Sequence, residues 1–230
     1  MLRRPLALAL MAALACAATA TASSPRTITR GQAAGVAAAI GLHHGDLPTL
    51  VASPNPITAQ ERVQEAQLSA CDGSVPASGA WAQAQSPSFD QPSSAQAVTS
   101  ISSSTRILPT TQLVAKDLAT AEGPRELPCV RKELTTVLEA SLGKGNSVSL
   151  SGQRAAPVIA GTFTLRFTAT LDLKQGATRV KVPLYADVIG FAYGQAEVSL
   201  NVVQSGARPS AAFERRLAGV LLARAKAALG

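Results

Sequence analysis

Along residues 163–173 apolar and polar positions alternate without exception. Phe163, Leu165, Phe167, Ala169, Leu171 and Leu173 share one parity, and Thr164, Arg166, Thr168, Thr170 and Asp172 share the other. Successive side chains of a strand point to opposite faces, so this period of two predicts a strand with one face buried and one in water. Gln175-Gly176 supplies a turn, after which Val180, Val182, Leu184, Ala186 and Val188 alternate with Lys181, Pro183, Tyr185 and Asp187. Gly190 reads as a break, and a third alternating stretch runs over 194–202. Three such strands in succession predict an antiparallel meander. Pro183, with no N–H to give to a ladder, marks the middle strand as locally an edge or a bulge.

Upstream the spacing turns helical. Residues 32–44 are Ala-rich, with Val36, Ile40 and a histidine (His43 or His44) at helical spacing, and predict a first helix stopped by Gly45. Thr58 and Glu61 have the capping-box spacing that satisfies two orphan backbone donors reciprocally, so a second helix starts there and ends near Cys71 and Gly73. Residues 98–108 read as a strand from their β-branched and Ser/Thr content. Thr110 or Thr111 caps a third helix reaching about Ala121. Pro124 or Pro128 opens a fourth, in which Val130, Leu134, Val137 and Leu138 form a stripe that Gly143 ends. A closing helix over 210–229 carries Phe213, Leu217, Val220 and Leu221 on one face. This order predicts an α+β fold, in which an antiparallel sheet made of the C-terminal meander plus the earlier strand is covered by helices. One polar and one apolar face per strand place those helices on one side only.

Residues 72–97 are rich in Ser, Ala, Gln and Pro without a period, and predict a long irregular loop. It carries Trp81 and Phe89. Aromatic residues exposed on a loop usually cover something, which makes these two the candidate ligand-binding side chains.

The N-terminal stretch 1–22 has basic Arg3 and Arg4, an apolar run over 6–16 and the small residues Ala20, Thr21 and Ala22. This is the pattern of a secretory signal peptide, followed by a disordered stretch over 23–30 and one domain over 31–230. The apolar run is too short to cross the roughly 30 Å of hydrocarbon, and no later segment has the ~20 apolar residues of a span. A competing reading keeps Cys16 as a lipid-modified N-terminus, but Ala13, Leu14 and Ala15 before it place the leucine one position late. Export is supported by the cysteines, since removing Cys16 leaves the even pair Cys71 and Cys129. In an oxidising compartment such a pair persists as a disulfide, and closing this loop constrains the unfolded chain by about 4 kcal/mol. Two buried free thiols are the alternative.

The chain has 230 residues, of which 47% are hydrophobic; this excludes a disordered protein, and 3% aromatic content leaves Ala, Val, Leu and Ile to build the core. Removing Arg3 and Arg4 lowers the formal charge of +7 by two. The remaining Arg and Lys are spread from Arg26 to Lys226 with acids between them, unlike the basic stripe of a nucleic-acid binder.

Catalytic signatures are missing. No serine stands in a G-x-S-x-G elbow, and Gly143-Lys144-Gly145 lacks phosphate-loop spacing and reads as a turn. His43 and His44 are adjacent, and helical neighbours diverge by about 100°, so they do not make a metal site; one ring is expected in the core and one in solvent. Asp172 and Asp187 are read as two solvated carboxylates near Arg166, Lys174 and Lys181, against a pair that approaches on the polar face of neighbouring strands for acid–base work. Arg215, Arg216, Arg224 and Lys226 are read as the solvated back of the last helix, against contact with anionic lipid.

Asp46-Leu47-Pro48, Cys71, Ser86-Pro87-Ser88-Phe89, Cys129 at a helix start, the run from Val182-Pro183-Leu184 to Tyr185-Ala186-Asp187-Val188, and Gly194 together resemble uncharacterised exported proteins of actinobacteria. Those are similar to extracellular sensor-type and lipoprotein domains with a Mog1/PsbP-like α+β sandwich. The resemblance implies a Cys71 to Cys129 bridge and a non-enzymatic envelope domain without a cofactor, and it supplies no catalytic residue. The expectation is an exported binding or sensor-type module holding an apolar small molecule or an envelope protein between the sheet and the 72–97 segment. The rivals are a hydrolase-class enzyme and a purely structural interaction domain.

Overall fold

The computed structural model describes residues 25–91, 98–142 and 144–230. The expected leader, Cys16, the helix stop at Gly143 and residues 92–97 lie outside the described residues. Five helices, α1 (Arg30–Ile40), α2 (Ala59–Asp72), α3 (Thr111–Ala121), α4 (Glu126–Leu142) and α5 (Ala211–Leu229), pack on an eight-stranded sheet. Its strands are β1 (Val51–Ser53), β2 (Ala82–Gln85), β3 (Ser88–Asp90), β4 (Thr99–Ile107), β5 (Ser147–Ala155), β6 (Thr162–Gln175), β7 (Thr178–Tyr193) and β8 (Ala196–Ser205). The order is β1-β3-β4-β8-β7-β6-β5, with β2 beside β3 on the same edge of β4, and all pairs are antiparallel. The fold is α+β, and the meander is β6-β7-β8.

The capping box at Thr58 forms as expected: Thr58 Oγ1 accepts from Glu61 N–H while Glu61 reaches back to the Thr58 N–H. Of Thr110 and Thr111 it is Thr110 that caps, its Oγ1 accepting from Leu113 N–H; a further cap, which no expectation named, is Ser210 Oγ accepting from Phe213 N–H. Pro183 sits one residue before β8 ends its pairing at Leu184↔Ser205, so β7 is an edge there.

Several boundaries differ. Gly190 does not break the meander, because β7 continues to Tyr193 and the chain turns at Gly194, whose φ of +58° is the left-handed conformation that glycine adopts without strain. What Gly190 provides is room, since a Cβ there would run into the Phe163 ring. The 72–97 segment is not one irregular loop. It holds β2, whose Ala and Gln content hides the alternation, and the three-residue β3, and their ladder on β4 is interrupted at Ser86-Pro87. Ser86 Oγ accepts from the Ser103 N–H there, in place of a backbone carbonyl. β5 was hidden among serines. The stretch expected to be disordered ahead of the domain is pinned from Arg26 onward, with the Arg26 N–H on the Leu229 carbonyl (2.6 Å) and that of buried Ile28 on Gln195 Oε1 (2.7 Å). A single anchoring isoleucine makes no periodic signal. The first helix stops at Ile40 because Leu42 turns into the core and its N–H bonds Ser103 Oγ (2.9 Å). His43 and His44 are therefore both exposed, and neither ring is in the core.

The one-sided architecture is overturned. Cross-strand partners share a face, which puts Ile101, Ser103 and Ile107 of β4, Val198 and Leu200 of β8, Asp187, Ile189 and Phe191 of β7, and Thr164 and Arg166 of β6 together. This face carries α1 and α5, and its core takes in Ala37, Ile40, Leu217 and Leu221. The opposite face presents Arg106, Glu197, Ser199, Val188, Leu165 and Phe167, and it is covered by α2, α3 and α4. Helices thus flank the sheet on both sides. The strict alternation of β6 misleads because its polar parity also meets a helix: Thr164 is 2% exposed, and Arg166 Nη2 donates to Glu214 Oε2 of α5 at 2.7 Å. Leu171 lies toward the far end of β6 and is only half-buried.

Candidate functional site

Arg106 projects from the last turn of the pleat in β4, on the face covered by α2, α3 and α4. Its Nη2 donates to the Val75 carbonyl at 2.7 Å, and the Asp117 carboxylate accepts the Val75 N–H, so one backbone residue is clasped from both sides. Glu65 (3.7 Å), Asp117 (3.4 Å) and Glu197 (3.5 Å) surround the guanidinium. Arg106 and Glu197 lie opposite one another in the β4–β8 ladder, Glu65 comes from α2 and Asp117 from α3. Glu65 also accepts from Gln83 Nε2 at 3.3 Å.

Beneath this arginine is a cavity of about 270 Å³. Five carboxyl groups line it, Glu65, Asp72, Asp117, Glu126 and Glu197, together with an apolar wall of Leu68, Leu118, Ala121, Phe163 and Ala192. Burial pushes the Glu197 carboxyl up to about 8; Arg106 opposes the shift, and the neighbouring Asp117 adds to it. Burial likewise pushes Glu126 up to about 8, reinforced by a hydrogen bond with Asp72 and its charge. Near neutrality both glutamates therefore hold protons. Among the described residues no group of three or more His, Cys, Asp or Glu is arranged to hold a metal ion.

Cys71 of α2 and Cys129 of α4 form a disulfide with Cα atoms 5.9 Å apart. It belongs to this site, because Asp72 follows Cys71 directly and Glu126 precedes Cys129 by most of a helical turn. The bridge thus locks two walls of the cavity.

The aromatic candidates are elsewhere. Phe89 has no exposed surface and stands in the core on the α1 and α5 side; Trp81 is half-buried against the same core, and neither lines the cavity. A run of polar residues made 72–97 look like an exposed loop, whereas β3 carries Phe89 inward. Asp172 and Asp187 are not brought together. Asp187 is opposite Arg166 while Asp172 is opposite Lys181 and pairs with Arg179 at 3.0 Å, about 20 Å along the strand. Of the α5 cations Arg215, Arg216 and Lys226 are exposed, as a solvated back requires, although Arg215 also bonds the Val158 carbonyl and Arg216 that of Asp46; Arg224 is not solvated in this way, being half-buried and bonded to both the Gly41 carbonyl and the Asp46 carboxylate. The cavity acids are spread over four elements, with no motif to announce them. The one available signal was a lone Arg106 amid Ser and Thr in a strand.

A second, more open cavity of about 540 Å³ lies on the other face, between the 46–50 turn and the start of α5, and includes Leu47, Phe213 and Arg208. No helix among the described residues is long and apolar enough to cross a membrane.

No family model matches the chain, and no curated protein matches it. Among solved structures the chain is similar to the extracellular domain of PknH from Mycobacterium tuberculosis, with a TM-score of 0.45 and 9% identity over 87% of this chain and 97% of that one.

Proposed function

We propose that the chain is a non-enzymatic, exported binding or sensor-type module of the bacterial cell envelope, and that the cavity beneath Arg106 takes its ligand, a small organic cation with an apolar body. The observation that carries this reading is the lining itself: five carboxyl groups against one guanidinium, facing an apolar wall. Concave sites with an apolar wall and a few convergent polar groups are where small ligands bind. A protonated amine would satisfy the carboxylates, and the apolar wall would hold its hydrocarbon. The disulfide fits an oxidising compartment, in keeping with the leader-like residues 1–22.

Proton-transfer catalysis is the second reading, favoured by the raised values at Glu126 and Glu197. Against it, two of the three lining serines, Ser104 and Ser199, hydrogen-bond each other at 2.9 Å, and no histidine is among the lining residues. Native mass spectrometry of the protein from its own organism, with thermal melts in benzylamine, cadaverine and benzyl alcohol, tests the binding reading. A retained cationic adduct, or a Tm raised by the amines and unchanged by the alcohol, supports it. Equal responses to all three, or turnover of nitrophenyl esters or glycosides that is lost in Glu197→Gln, overturns it.

A further inference from the structure

On the opposite face of the sheet, under the first turns of α5, lies a second group of charges that the cavity does not use. Glu214 of α5 and Asp187 of β7 have no exposed surface at all. Glu214 Oε2 accepts from Arg166 Nη2 at 2.7 Å, and Asp187 Oδ1 accepts from Arg208 Nη1 at 2.6 Å. Arg166 Nε is 3.5 Å from Asp187 Oδ2 without a hydrogen bond. This leaves Asp187 Oδ2 and Glu214 Oε1 buried without a partner, in two carboxyls within hydrogen-bonding reach of each other. Both oxygens are acceptors when ionised, and a single proton between them satisfies both.

The charged and titratable groups facing this pair are Arg166 from β6, Tyr185 from β7 through its stacking with Arg208, and Arg208 itself from the connection between β8 and α5. Thr168 Oγ1 accepts from Arg208 Nη2 at 2.9 Å, and Arg215 and Arg216 of α5 are turned away to backbone carbonyls. The two facing guanidiniums keep 22% and 28% of their surface in water, whereas the carboxyls keep none. Hydration screens the cations more than it relieves the acids.

We propose that Asp187 and Glu214 hold one proton between them as a latch for the C-terminal helix, and that losing this proton as the pH rises loosens the seat of α5. Burial, then the contact with Asp187, pushes the Glu214 carboxyl up to about 7, in line with a proton retained near neutrality. The stability this group contributes is fully present below its ordinary value, falls as the pH rises from there to about 7, and is flat beyond.

The experiment compares thermal melts of the oxidised chain and of Glu214→Gln from pH 4.5 to 8.5. Glutamine keeps a donor toward Asp187 without titrating, so the Tm gap between the two proteins should move in favour of the variant by several degrees across that range. A gap that stays constant overturns the proposal. Should the variant not fold, carboxyl carbon-13 titration of the unmodified chain decides. A buried carboxyl titrating near neutrality, with amide exchange in α5 quickening above it, supports the latch, whereas ionisation of both acids below pH 5 sinks it. This site and the cavity lie on opposite faces of the sheet, so failure of one reading leaves the other to its own test.

Discussion

The carboxyl groups of Asp72 and Glu126 face each other within hydrogen-bonding reach, although they belong to different helices. Two acids that share a desolvated site repel when both are ionised, so their hydrogen bond holds α2 and α4 together only while Glu126 keeps its proton, and something else must hold them beyond that. The disulfide one residue away from Asp72 does so. Replacing Cys71 and Cys129 by serine should destabilise the domain by about 2 to 4 kcal/mol and lower the Glu126 value toward the ordinary range as the helices part. Urea titration and side-chain carbon-13 titration measure the two effects. Intact mass with alkylation checks the bond itself, since no thiol should react before reduction.

Helices on both faces of the sheet change what a substitution in β6 does. Leu165 has no exposed surface and Thr164 only 2%, although they point to opposite faces. Thr164→Asp and Leu165→Asp should each cost about 3 kcal/mol or more, because each buries an unpaired carboxylate. Leu171→Asp, at a half-buried position, should cost less. A Thr164→Asp variant as stable as the parent would restore a sheet with one wet face.

Much of this fold was legible because local chemistry and tertiary structure agree: the caps at Thr58 and Thr110, the turn at Gly176 and the meander follow from a few residues each. The layer under α5 was not legible, because Thr164, Arg166 and Asp187 are polar for the sake of one another, and a period of two cannot distinguish a polar position that meets water from one that meets a buried glutamate. The closing helix hid the same fact, since its buried stripe passes through Glu214 while Phe213 is half-buried. The candidate site was legible only in its disulfide, because Glu65, Asp117 and Glu197 meet at Arg106 from three separate elements.

Gly190 links strand packing to the cavity, for both it and Phe163 are part of the lining. A side chain at position 190 would drive the Phe163 ring out of place. Gly190→Val should therefore cost about 1 to 3 kcal/mol by overpacking and reduce amine binding at the same time. Denaturant melts with benzylamine titrations check both, and a stability loss without a binding loss would mean that Phe163 does not shape the occupied site.

Asp46 closes the turn after α1. Burial raises its carboxyl, but hydrogen bonds from Arg224 and the His43 N–H, with the charge of Arg224, outweigh burial and hold it below the usual value. A lowered value contributes stability above the ordinary carboxylate range that is lost as the pH falls through the folded value. Asp46→Asn should be less stable than the parent at pH 7 and indistinguishable from it at pH 2. Melts at the two pH values measure this, and a gap that persists in acid would assign the effect to packing.

Glu197 has the opposite sign. Its carboxyl is pushed up to about 8, so the stability it contributes is fully present below about pH 4.5 and is lost as the pH rises to about 8. Glu197→Gln should therefore flatten the decline of Tm over that interval by several degrees. The same proton bears on the ligand: with its value at about 8 the Glu197 carboxyl holds it at pH 7, and an organic cation entering beside Arg106 favours the ionised form. Binding of benzylamine should release protons to the buffer. Calorimetric titration at pH 7 in phosphate and in Tris, whose ionisation enthalpies differ widely, should give different heats for the parent and a smaller difference for Glu197→Gln. Equal heats in the two buffers would mean that the carboxylates which meet the cation were ionised already, and that the protons held by Glu197 and Glu126 have no part in recognition.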